Sequence, residues 1–228
     1  MCGRFVFTPG GKAKFTTRFH IDNDVTVEER YNIAPGAMVP VVTRQSPNQA
    51  ILMRWGLIPF WAKDPRIGYA LINARAETVA QKPAFRKPLR TQRCIVPTNG
   101  FYEWRKGPDG SEPFFIHRKD GLLMGFAGLY DVWKDAEGHP IRSFTIITTT
   151  PNAVVAPIHD RMPAILREDQ EDTWLDPNTQ DQALLLPLLS PYEEKTLEVY
   201  PVSKAVNKAS IDEPSLIRKS KASPNASS

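Results

Sequence analysis

The chain opens MCGR, and a cysteine at position 2 has an unusual prospect. Aminopeptidases remove Met1 when the second side chain is small, so the mature protein would carry an α-amine and a thiol on adjacent carbons. The amine ionises near about 8 and the thiol near about 8.5, lower beside a cation such as Arg4. Such a 1,2-aminothiol condenses with an aldehyde to an imine, which the sulfur can close to a five-membered thiazolidine. A lone cysteine is more often structural, and it is the position of Cys2 that makes it a candidate nucleophile.

Three further segments carry groups that would assist such chemistry. In NARAET (73–78), Asn73, Arg75 and Glu77 alternate, so an extended backbone would turn all three to one side. Asn73 could orient an amine or carbonyl by hydrogen bonding, and the planar fork of Arg75 suits a phosphate. Such a segment is also an ordinary strand edge. In GFYEW (100–104), Glu103 lies between Tyr102 and Trp104, where partial desolvation would raise its pKa toward proton-transfer range. In IHDRMPAIL (158–166), His159, Asp160 and Arg161 fill a short loop ended by Pro163. The imidazole titrates near neutrality, although a lone loop histidine is commonly just a hydrogen bonder. No metal site is expected, since HExxH and CxxC are absent and the other histidines are dispersed. Neither a Walker loop nor GxGxxG before a helix points to a nucleotide cofactor.

The elements that must hold these groups read as an α+β chain. At 228 residues, 41% hydrophobic and 24% charged, it fits one soluble domain. Strands are predicted at 51–58, 93–97, 112–118, 122–133 and 143–149, with a hairpin turn at Pro108-Asp109-Gly110 and another turn at 135–140. Short helices are predicted at 12–19, 77–85, 167–175 and 179–190. Trp55 reads as core, whereas Phe60 and Trp61 open a loop with basic neighbours and could stack on bases. No membrane span or secretory signal is indicated, giving an expectation of cytoplasm, or of nucleus in a eukaryote. Cys2 and Cys94 are too few for a disulfide framework.

The net charge of +4 is concentrated at the C-terminal end. Residues 203–228 hold five bases and two acids, a balance of +3, and leave +1 for residues 1–202. Local acid-free runs at 1–20 and in KPAFRKPLRTQR (82–93) are either phosphate-facing stripes or ordinary solvated faces. Beyond Ile217, RKSKASPNASS reads as a disordered basic tail, leaving residues 1–217 as the domain.

MCGR, YNIAPG (31–36), RWGLIPFW (54–61), NARAET, RCIVPTNGFYEW (93–104) and IHDRMPAIL occur in this order, and with them the chain resembles the SOS response-associated peptidase (SRAP) family. The resemblance implies a single α+β domain with a curved, barrel-like, mainly antiparallel β-sheet and short peripheral helices. It also implies a monomer, nucleoid-associated if bacterial, that senses and shields abasic sites in single-stranded DNA without metal or cofactor. By the same resemblance Cys2 is the nucleophile, Asn73 orients its amine, Glu103 is a general acid/base and His159 assists sugar-ring opening. Arg4, Arg75, Arg86 and Arg161 are implied as phosphate contacts, Thr148 as a further backbone contact, and Pro40 with Trp61 as a wedge that splays the DNA. Two other readings use the same residues: a cysteine peptidase or N-terminal-nucleophile hydrolase acting in trans, and a non-catalytic single-stranded DNA-binding module.

Overall fold

The computed structural model describes residues 2–8, 10, 12–44, 48–108 and 110–220. Its elements, in chain order, are β1 (Arg4–Phe7), α1 (Lys12–Arg18), β2 (Arg30–Ile33), β3 (Met38–Arg44), β4 (Asn48–Trp55), β5 (Asn73–Arg75), α2 (Pro83–Thr91), β6 (Arg93–Thr98), β7 (Gly100–Gly107), β8 (Gly110–Arg118), β9 (Met124–Lys134), β10 (Pro140–Thr149), β11 (Met162–Pro163), β12 (Ile165–Leu166), α3 (Glu171–Leu175), α4 (Gln182–Leu185) and β13 (Leu197–Pro201). Single 3-10 turns fill several connections. No helix among the described residues is long and apolar enough to cross a membrane.

Two sheets face one another. One is antiparallel, in the order β13-β8-β7-β1-β2. In the other, β10-β4-β3-β6-β9 runs as neighbours and β9 pairs back onto β10, closing a five-stranded barrel to which β5, β11 and β12 attach. The β10–β4 and β10–β5 pairings are parallel, and the rest of the ring is antiparallel. Closure removes sheet edges that would otherwise need protection. The expected α+β fold with barrel-like sheet is what forms.

β10 shows why these residues make this structure. Its stretch from Ser143 to Thr149 is buried without a break, as a strand covered on both faces requires, and β-branched Thr and Ile supply most of it. Trp55, fully buried at the end of β4, lies edge-on to Phe5 at 5.1 Å and stacked on Phe144 at 6.5 Å, with its indole N–H on the Ile72 carbonyl at 2.9 Å. Aromatic pairs of this kind contribute about 0.5–1.5 kcal/mol each beyond burial. Two glycines let chains approach: a Cβ at Gly100 would lie 2.6 Å from the Ile116 carbonyl oxygen, and one at Gly128 would lie 2.8 Å from Cys94 Sγ.

The outer face of the antiparallel sheet has a smaller core of its own. Val6, Tyr102 and Phe115 pack there under Val202, Val206 and Leu216. The C-terminal segment is therefore part of the domain. Lys219 bridges to Val202, and the Ser220 amide donates to the Pro201 carbonyl; residues 221–228 of the expected tail lie outside the described residues.

Three local expectations shift. The strand expected at 51–58 starts and ends earlier, at β4, because Gly56 turns the chain at φ 121°. NARAET is extended only to Arg75; the Thr78 amide donates to the Arg75 carbonyl, so Glu77 sits in a turn rather than in strand alternation. The helix expected at 77–85 forms six residues later as α2, where Pro83 occupies the first turn and needs no hydrogen bond from its nitrogen. In the 107–110 hairpin Gly107 pairs with Gly110, while Asp109 lies outside the described residues. Cys2 and Cys94 are both buried and unbridged.

Candidate active site

β1 lies between β7 and the edge strand β2, with Arg4 opposite Tyr102 and Phe5 opposite Phe101 on β7. Cys2, just before this strand, is fully buried in the main core, and its Sγ lies 3.9 Å from the Arg4 carbonyl oxygen. Burial, with the Glu103 carboxylate adding to it, pushes the Cys2 thiol well above the usual range. At rest the sulfur is a neutral thiol.

β5 supplies the next group. Its parallel pairing with β10 sets Asn73 against Ile146, and the Asn73 Nδ2–H donates to the Cys2 carbonyl at 2.9 Å. Asn73 Oδ1 is buried without a hydrogen-bond partner among the described residues. An acceptor left dry beside Cys2 suits an amine, since an unsatisfied buried carbonyl oxygen costs about 1–3 kcal/mol.

Glu103 comes from β7, two strands from the edge. It is 2% exposed, and burial raises its pKa from an ordinary 4.5 to about 7. The carboxyl thus divides between acid and base forms near neutral pH, which is the condition for moving protons in both directions. His159 Nε2 lies 3.9 Å from Glu103 Oε2. Its Nδ1 accepts the Arg161 amide N–H at 3.0 Å, which assigns the proton of the neutral ring to Nε2, on the Glu103 side. Asp160 Oδ1, 2.9 Å from the same Nδ1, favours the opposite arrangement. Burial lowers the His159 pKa against the opposing charge of Asp160, whose side chain is largely exposed and so screened.

Cys2, Asn73, Glu103 and His159 are therefore brought together from four separate stretches of chain. The implied DNA contacts are more scattered. Arg75 at the end of β5 and Arg86 on α2 are exposed. Trp61 is 48% exposed beside Phe60 at 53%. Pro40 is buried in β3, at a point where that strand pairs with β4 but meets β6 only at Val42, so its missing N–H breaks no ladder; it lines a groove of about 390 Å³ with Met38 and Leu52. Thr148 is fully buried, and its carbonyl accepts from the Ala76 amide and from Arg161 Nη2.

Two of the arginines already have partners. Arg4 Nη1 donates to Asn32 Oδ1 at 3.0 Å and to the Val206 carbonyl at 2.8 Å. Arg161 makes a two-pronged pair with Glu77, at 2.7 and 3.0 Å, besides its bond to Thr148. Neither Glu77 nor Asn32 was recognised as a partner from sequence. Glu77 lies 84 residues from Arg161, and nothing local signals the pairing. Asp135, Glu137 and His139 in the β9–β10 turn could place three ligand atoms within 4.8 Å of one another, but Asp135 Oδ1 there already accepts the amides of Glu137 and His139.

The family model described as SOS response associated peptidase (SRAP) matches residues 1–209. The chain belongs to the SRAP family. This SRAP chain is 44% identical to the abasic site processing protein YoqW of Bacillus subtilis over 222 residues, which covers 95% of the chain and 99% of that protein. It is 31% identical to the abasic site processing protein HMCES of Gallus gallus over 217 residues, covering 81% of the chain and 64% of that protein. Among solved structures, a Bacteroides thetaiotaomicron protein shares the SRAP fold with a TM-score of 0.89 at 30% identity, covering 96% of the chain and all of the other.

Proposed function

We propose that this SRAP protein processes abasic sites in single-stranded DNA by forming a covalent thiazolidine through Cys2. The observation that carries the reading is the four-residue cluster around the amino terminus: Cys2 held by the Asn73 amide, with the Glu103–His159 pair 3.9 Å apart beside it. The abasic processing names of its relatives supply the substrate.

After Met1 is lost, an amine on Cys2 finds a ready acceptor in Asn73 Oδ1. An abasic sugar exists as a closed hemiacetal, and opening it requires a proton to move from the anomeric hydroxyl to the ring oxygen. His159, neutral at physiological pH because burial lowers its pKa, is suited to relay it. The Cys2 amine then adds to the aldehyde carbon, and the carbinolamine loses its hydroxyl as water with Glu103 as acid. Glu103, now a carboxylate, takes the thiol proton, and the sulfur adds to the carbon of the protonated imine, whose nitrogen keeps its hydrogen and becomes the neutral ring amine. One water leaves overall. The cycle returns Glu103 to its starting form, which a pKa of about 7 permits in both directions. An imine not captured by sulfur can instead undergo β-elimination, a lyase side-activity.

Intact mass spectrometry tests this. The protein is incubated with an oligonucleotide carrying one abasic site, beside an undamaged control. Expected is a chain lacking Met1 that gains the oligonucleotide mass less one water, stably to heat, only with the damaged strand. Cys2→Ala is expected to abolish the stable adduct, and Cys2→Ser to leave at most reducible imine. A chain already lacking Met1 that forms no adduct would sink the proposal in favour of peptide hydrolysis in trans. Equal, salt-sensitive binding to intact and abasic strands without adduct would favour a passive binder.

A further inference from the structure

The acid-free run at 82–93 forms one wall of a built groove. α2 turns Phe85, Pro88 and Leu89 into the core and leaves Arg86, Lys87 and Arg90 outside. These three cations, with Thr91, Gln180 and Gln182, line a concavity of about 560 Å³ that has no carboxylate in its lining. Asp181, between the two glutamines, has its side chain on the Ala183 amide at 2.9 Å, capping α4.

Both walls are fixed from beneath by one buried side chain. Arg93 donates to the Leu89 and Arg90 carbonyls at the end of α2, each at 2.7 Å, and to the carbonyls of Trp174, Asp176 and Thr179 on the facing segment. Arg90 Nη2 reaches across to Gln180 Oε1 at 3.3 Å. At the other end, Lys87 Nζ lies 4.3 Å over the ring of Phe60, so the groove adjoins the exposed Phe60–Trp61 pair.

We propose that this groove binds the backbone phosphates of a flanking stretch of the same DNA strand, with Lys87 and Arg90 as contacts additional to Arg86. A lining of three cations with hydroxyl and amide side chains and no carboxylate complements an anionic backbone. Reach is adequate. Ala80, at the groove, is five residues beyond the exposed Arg75, hence at most about 18 Å away, a distance that a few nucleotides of a continuous strand can cover. The inference rests on the abasic-DNA reading for its occupant, and the stacking surface at Phe60 makes a single strand the fitting form of it.

The test compares wild type with the K87A/R90A double variant, both exposed substitutions, on undamaged oligonucleotides of 5 and 25 nucleotides by fluorescence anisotropy from 50 to 200 mM salt. Each phosphate contact contributes about 0.7 to the slope of log affinity against log salt for single strands. The double variant is therefore expected to lower the slope on the 25-mer by about 1.4, so that its deficit against wild type shrinks about sevenfold across that range. The advantage of the 25-mer over the 5-mer should shrink with it, and the charge-keeping K87R/R90K variant should restore both. Equal slopes for wild type and K87A/R90A would overturn the proposal, as would displacement of the 25-mer by an oligoglutamate of matched charge as effectively as by DNA. Adduct formation on an abasic 5-mer, followed separately by mass spectrometry, reports the crosslinking chemistry, so failure of that reading and failure of the groove are distinguishable.

Discussion

Replacing Glu103 by glutamine should make the protein more stable and less active, and the stability gain should depend on pH in a defined way. The side chain is 2% exposed, and burial lifts its pKa from 4.5 to about 7. An unfolded chain releases this proton near 4.5, whereas the folded chain keeps it to about 7. Between those values the folded state binds more protons, so stability falls as pH rises. Below about 4.5 the carboxyl is protonated in both states and nothing is lost. Above about 7 the loss is complete, at about 3 kcal/mol, because one pH unit corresponds to about 1.4 kcal/mol. Glutamine has no charge to bury, so Glu103→Gln should exceed wild type by about 3 kcal/mol at pH 8, roughly 6–12 °C in melting temperature for a chain of this size, and match it near pH 4.5. Urea unfolding at pH 4.5, 6, 7 and 8 reads this directly. Crosslinking rate measured in parallel should fall by about 10²–10⁴, the usual contribution of a positioned proton-transfer group. Equal stability of the two proteins at pH 8, or a gain that does not change with pH, would refute the reasoning.

His159 gives a second pH signature. Its pKa is lowered from 6.5, first by burial, so the acid limb of the crosslinking rate is expected below pH 6.5, tracking the imidazole titration by NMR; a limb above 6.5 would contradict that assignment. Glu77→Gln leaves Arg161 with the Thr148 carbonyl as its remaining strong acceptor, and is expected to cost about 1 kcal/mol once the half-exposed Glu77 is discounted for screening. It should also slow crosslinking, because the Arg161 amide holds His159 Nδ1; an unchanged rate would show that the pair does not position the imidazole. Gly100→Ala would force a Cβ to 2.5 Å from the Phe115 ring and 2.6 Å from the Ile116 carbonyl oxygen, and should cost more than about 2 kcal/mol in denaturant unfolding, with full stability as the contrary result.

Sequence was informative where chemistry is written in residue type and local order. Glu103 between two aromatics signalled desolvation, and the structure shows a buried carboxyl with a raised pKa. The β-branched runs at β6, β8, β9 and β10 announced themselves by alternation or unbroken apolarity. β1, β2 and β3 did not, because the first two are only four residues long and the third carries a proline; their strand character comes from pairing with distant partners. The same holds for the arginines. An arginine looks the same in sequence whether it faces solvent, as Arg86 does, or is paired with an acid 84 residues away, as Arg161 is. Long-range partners, not propensity, decide which cations remain available to a ligand.

The pKa shifts at the site also bear on the order of events in the proposed reaction. A thiolate at rest would attack first and give a hemithioacetal. Burial and the Glu103 carboxylate together hold the Cys2 sulfur protonated, and this leaves the amine as the first nucleophile. Sulfur becomes reactive only when a base takes its proton, and Glu103 near a pKa of 7 becomes that base on protonating the departing hydroxyl. Dehydration to the imine and activation of the thiol are thus one proton apart on the same carboxyl. That coupling favours ring closure over β-elimination, since the step that creates the vulnerable imine also prepares the group that captures it. With glutamine at position 103 the coupling is lost, and the ratio of strand cleavage to stable adduct should rise even as the total rate falls.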